Sequence, residues 1–164
     1  MVNKLVARLD MDMDEELDFT LLAITCSLKD YRLCHFINKE THLNFSRGKE
    51  SKYDHDGRQK NKSEEELEYH IIFDPKKKIS YHFTAFHYLI PDADTEYFLI
   101  NNKSIEGTYL IPENPHFDFF IIIKNYICED DVEHIIKRIS KLPEVVIAKE
   151  ISPKILKSKE NLIF

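Results

Sequence analysis

Residues 18–26 (DFTLLAITC) form an almost unbroken apolar run of the length and composition that suit a buried strand. Leu28, Tyr31, Cys34 and Ile37, with Leu33 and Phe36 beside them, then recur at helical spacing. They predict a well-buried helix to about Thr41, opened by Ser27 as cap with Asp30 three residues later. Further on the period falls to two. Leu67, Tyr69, Ile71 and Phe73 alternate with Glu66, Glu68, His70 and Ile72. After the turn residues Asp74 to Lys78, the set Ile79, Tyr81, Phe83 and Ala85 alternates with Ser80, His82, Thr84 and Phe86. This is the pattern of a hairpin with one apolar face, and Phe73 is expected opposite Ile79. Residues 96–101 (EYFLIN) predict another strand, 102–107 a turn and 108–111 a short strand.

The C-terminal part is the clearest. Phe117 to Lys124 (FDFFIIIK) is so continuously apolar that it predicts a central strand covered on both faces. Val132, Ile135, Ile136, Ile139 and Leu142 predict a helix over 129–142, with acids at its start and bases at its end to complement the dipole. Pro143 stops it, and 145–151 (VVIAKEI) predicts a last strand. Residues 4–9 (KLVARL) can add a short strand at the start.

These elements describe an α+β fold: a mostly antiparallel sheet with two main helices packed on it and a C-terminal βαβ unit. By element order it is analogous to ferredoxin-like or ACT-like modules. Residues 46–65 hold Tyr53 as their one large apolar side chain and are expected to form a mobile loop. The domain is expected to span residues 1–151. Residues 152–164, rich in Lys and ending Leu162-Ile163-Phe164, are expected as a loosely held tail.

The length of 164 residues fits one domain and allows roughly 70% of the unfolded chain's surface to be buried without disulfides or metal. A net charge of −6, with no basic cluster interleaved with aromatics, argues against nucleic acid as a partner. Three cysteines (Cys26, Cys34 and Cys128) without a CxxC spacing suggest free thiols in a reducing compartment. The chain start turns acidic at once, unlike a signal peptide, and the longest apolar run, Phe119 to Ile123, is too short to cross a bilayer. The expected location is the cytoplasm, with no membrane partner.

At Ile111-Pro112-Glu113, followed by Phe117-Asp118-Phe119-Phe120, the sequence resembles the IPExxVDY family. Leu28 to Cys34 and the Asn102-Lys103-Ser104 turn are similar to segments of that family, and the likeness covers most of residues 5–151. The spacer Asn114-Pro115-His116 is one residue longer than the name implies, Phe117 stands for Val and Phe119 for Tyr. The resemblance implies a small bacterial protein and brings no assigned activity, substrate or cofactor.

Candidate chemistry is sparse. Asp118 interrupts a run that reads as buried, and a buried carboxylate must be paired, bonded or protonated. It is expected to bind ligand, or to cap backbone N–H groups of the neighbouring turn, or to pair with Lys103 or Arg32. Glu113 lies nearby in sequence, and two carboxylates could share acid–base work. Arg32 and His35, three apart on the first helix, could hold an anion. Asp10, Asp12 and Asp14 copy the start of a calcium loop, but Glu15 and Leu21 occupy the positions that need Gly and a bidentate Glu. His70 and His82 would be cross-strand neighbours in the expected register, short of the three or four ligands zinc needs. Cys34 reads as core, whereas Cys128 sits at a helix start without an evident base. Phosphate-loop and nucleophile-elbow motifs are absent from the sequence. No metal and no cofactor are expected. The reading favours a non-catalytic protein-interaction or regulatory module, with a protein or a second copy as partner. The alternative is a small-ligand binder or enzyme using Asp118, Glu113, Arg32 and His35.

Overall fold

The computed structural model describes residues 17–47, 69–91, 93–125 and 128–163. The expected strand at 4–9, the Asp10–Asp12–Asp14 series and residues 48–65 of the expected loop lie outside these. Within them run β1 (Thr20–Cys26), α1 (Asp30–Thr41), β2 (Tyr69–Asp74), β3 (Ile79–Leu89), β4 (Glu96–Asn101), β5 (Phe119–Lys124), α2 (Glu129–Ser140) and β6 (Val145–Ile151). Two short 3-10 turns, Pro153–Ile155 and Lys159–Leu162, follow. The fold is α+β, as the periodicities predict.

All strands join one antiparallel sheet in the order β2-β3-β4-β5-β1-β6. The continuous apolar runs of β1 and β5 are inner strands, which is why both of their faces are apolar. Strands β5 and β6 lie on either side of β1, each antiparallel to it. They are therefore parallel to one another, and the expected βαβ unit is present in split form with β1 inserted. The order β4-β5-β1-β6, with helices after β1 and β5, has the connectivity of a β-α-β-β-α-β arrangement. The hairpin β2–β3, inserted between α1 and β4, widens it.

Alternation along β5 divides the core. Phe119, Ile121 and Ile123 pack with Leu22, Ile24 and Leu99 beneath the two helices. From the helices come Leu33, Cys34 and Ile37, and Val132, Ile135 and Ile139. Phe120 and Ile122 point the other way, with Leu21, Ala23 and Ile100. That second face is closed by Leu110, Ile111 and Phe117 of the β4–β5 connection and by Leu156 and Leu162 of the tail. The tail is thus packed, contrary to the expectation of a loose end, because its few apolar residues meet a sheet face that the helices leave open.

Three further expectations are corrected. Helix α1 starts at Asp30 with Lys29 as cap residue, and Ser27 does not cap it. Asp30 Oδ1 instead accepts from the Tyr31 N–H at 2.7 Å. Tyr31, assigned to the buried stripe, is 60% exposed, and only Leu33, Cys34 and Ile37 of the helix are buried. Residues 108–111 hold one isolated bridge, Lys103 to Tyr109, rather than a strand.

The third correction concerns the hairpin. Asp74 pairs with Ile79 and Phe73 with Ser80, one residue from the expected register. The cause is local: Asp74 Oδ1 accepts from the N–H groups of Lys76 and Lys77, and Lys78 takes a left-handed φ of 53°. This closes the turn at Asp74. A slip of one residue exchanges the two faces of a strand. Ile72, Tyr81 and Phe83 consequently face the second core, while Ile71 and Phe73 face solvent at 48% and 59% exposure.

Candidate functional site

The four candidate residues are positioned by different parts of the fold. Arg32 and His35 are exposed on α1, on the helix-covered side of the sheet. Glu113 belongs to the β4–β5 connection on the opposite side, half-buried. The sheet stands between Glu113 and the Arg32–His35 pair. A cleft of about 440 Å³ is lined by Leu17 to Phe19 and Glu150 to Lys154. A smaller one of about 190 Å³ is lined by Thr20, Glu129, Val132, Glu133 and Glu150. None of the four candidates lines either cleft.

Asp118 is exposed, which corrects the expectation of a buried carboxylate. It precedes β5 by one residue, at the rim of the sheet, where solvent reaches it. Its Oδ2 accepts from the Cys26 N–H at 3.0 Å. Its own N–H donates to Ile24 O at 2.8 Å, and its carbonyl accepts from the Asn102 N–H at 2.9 Å. Asp118 therefore ties the ends of β1, β4 and β5 together, and its carboxylate bonds a strand N–H 92 residues away instead of the neighbouring turn.

Glu113 is likewise committed to the backbone. Oε1 accepts from the Ser158 N–H at 2.8 Å and Oε2 from the Ser158 hydroxyl at 3.0 Å. Burial alone would raise its pKa, but the bonds from Ser158 outweigh this and hold the carboxyl below its ordinary value.

The residue that organises this region is Asn102, which the sequence shows only as a turn residue. Its side chain is fully buried. Nδ2 donates to Asn114 O at 3.1 Å and Phe117 O at 2.8 Å, and Oδ1 accepts from the Ile111 N–H at 2.9 Å. The backbone around Glu113 is folded about this one amide, as buried polar backbone must be satisfied.

The histidines also act as braces. In the observed register His70 pairs with Phe83 and His82 with Ile71, so the two imidazoles lie on opposite faces of the hairpin. His70 Nε2 lies 2.8 Å from Asn161 O, and burial lowers its pKa against the effect of that bond. His82 Nδ1 lies 2.6 Å from Glu106 Oε1, and the His82 N–H donates to Glu106 Oε2 at 2.9 Å. These bonds, the backbone one first, bring the Glu106 carboxyl down to about 2. Glu106 is 24 residues from His82, and nothing in the local pattern connects the two. Among the described residues no group of three or more His, Cys, Asp or Glu side chains is placed to hold a metal.

Cys26 and Cys34 are buried and Cys128 is exposed. Burial pushes the Cys26 thiol up, and it pushes Cys34 up to about 11. Cys128 is the N-cap residue of α2. A disulfide-exchange reagent at pH 8 is therefore expected to titrate one thiol quickly in the folded protein and three in denaturant. Rapid reaction of Cys34 in the Cys128→Ser variant would contradict this packing.

Among the described residues no helix is long and apolar enough to cross a membrane. No family model matches the chain, and neither a curated protein nor a solved structure does.

Proposed function

We propose that the chain is a non-catalytic protein-interaction module that docks through the outer face of the β2–β3 hairpin. One observation carries this reading: the register of the hairpin presents Ile71 and Phe73, two residues apart on one strand, to solvent. Among the described residues β2 pairs only with β3. Outward apolar side chains close together on one strand favour association over solvation. The carboxylates that would serve a reaction, Asp118 and Glu113, already accept backbone N–H groups. The resemblance to the IPExxVDY family, which has no assigned activity, is consistent with this reading. The expected partner is a second copy or another protein of the same cell.

Sedimentation velocity tests the proposal. Wild-type protein, alone or with the fraction of lysate it retains, is expected to sediment as a complex. Ile71→Lys with Phe73→Lys is expected to sediment as the monomer under the same conditions. A wild-type chain that is strictly monomeric and retains no protein would overturn the reading.

A further inference from the structure

The two faces of the sheet are covered by unlike means. One carries two 12-residue helices. The other is closed partly by residues 152–163, whose only regular structure is two 3-10 turns of 3 and 4 residues. The backbone N–H groups of this segment bond locally: Leu156 to Pro153 O, Asn161 to Ser158 O and Ile163 to Glu160 O. Its polar attachments to the rest of the chain converge on two residues. Ser158 gives both its N–H and its hydroxyl to Glu113. Asn161 donates through Nδ2 to Leu110 O at 2.8 Å, and its carbonyl meets His70. Its apolar anchors are Pro153, Leu156 and Leu162.

We infer that residues 152–163 form a releasable strap, latched at Glu113, that opens as a unit while the sheet and both helices stay folded. A segment without ladder bonds, held by a few side chains at its middle, belongs to the low-stability end of a structure. Opening breaks the bonds at Ser158 and Asn161 together, since the five residues between Leu156 and Leu162 move as one piece. It uncovers part of the second core, in which Leu156 and Leu162 cluster with Leu110, Ile111, Phe117 and Phe120. Glu113 sets the opening equilibrium because one carboxylate holds two donors of one residue. The inference is independent of the hairpin proposal, since its readout lies on the other face of the sheet.

Native-state hydrogen exchange on the full chain tests it. In the wild type the amides of Leu156, Ser158 and Asn161 are expected to exchange at least tenfold faster than those of Ile121 and Ile122 in β5. Glu113→Ala is expected to speed the strap amides at least a further tenfold, and β5 amides by no more than that factor, since the strap is open in the unfolded state as well. Ser158→Ala, which keeps the N–H but removes the hydroxyl, is expected to fall between the wild type and Glu113→Ala. Strap and β5 amides exchanging at one common rate in the wild type would overturn the inference, and so would strap amides that Glu113→Ala leaves at the wild-type rate. The wild-type comparison stands even if Glu113→Ala does not fold.

Discussion

Asn102→Ala is expected to lower the unfolding free energy by about 3–4 kcal/mol. The side chain satisfies three backbone groups at once: the buried Phe117 carbonyl and Ile111 N–H, and the part-buried Asn114 carbonyl. Each group left without a partner costs roughly 1–3 kcal/mol. The low end applies because the space of the lost amide can admit water. The midpoint of thermal unfolding should fall by about 6–16 °C for a chain of this size. Asn102→Asp should be worse still. It removes the donor and places a carboxylate against the carbonyls of Asn114 and Phe117, where a buried charge has no counter-ion to offset its desolvation. Urea denaturation followed by circular dichroism measures both variants. An Asn102→Ala loss below about 1 kcal/mol would mean that the β4–β5 connection does not depend on this amide.

Leu162→Ala is expected to destabilise the protein by about 2–4 kcal/mol, the range for a leucine deleted from a closed core. The side chain is fully buried against the second face of the sheet. Ile155→Ala is the matched control, since Ile155 is 77% exposed in the same segment and its loss should cost close to nothing. Equal effects at the two positions would show that the tail contributes no core. Because the strap can open while the rest stays folded, the Leu162→Ala loss cannot exceed the free energy of opening the strap in the wild type.

Element positions were legible wherever a period ran long enough. The strand at Glu96–Asn101 lies where EYFLIN alternates, and α2 begins at Glu129, where three acids precede an apolar stripe. The inner position of β5 followed from its unbroken apolar run, the signature of a strand covered twice. What a period cannot carry is register. Tyr69, Ile71 and Phe73 look like the buried set of β2, and only the turn bonds of Asp74 and the left-handed Lys78 move them to the solvent side. Tyr31 failed for a related reason. A broad stripe includes more positions than one helix face can bury, and the start at Asp30 leaves Tyr31 outward.

The roles of the polar residues were less legible still, because their partners are distant in sequence. Glu113 meets Ser158 across 45 residues, and Asp118 meets Cys26 across 92. Both carboxylates accept backbone N–H groups that an apolar residue in their place would leave unsatisfied. The sequence could not distinguish a group that braces backbone from one that binds ligand. Asn102 carries no mark at all: an asparagine after a strand is ordinary turn chemistry. The tail was judged by its lysines, Lys154, Lys157 and Lys159, whereas Leu156 and Leu162 decide where it lies.

We propose that this chain works through an exposed hairpin face, while Asp118 and Glu113 hold the backbone together. Affinity retention of cell protein by immobilised wild type, Asp118→Asn, Glu113→Gln and the Ile71→Lys with Phe73→Lys pair, compared in one quantitative experiment, tests it most directly. The account predicts that both carboxylate variants retain what the wild type retains and that the hairpin variant loses it. Retention that survives the hairpin variant and disappears with either carboxylate would contradict it.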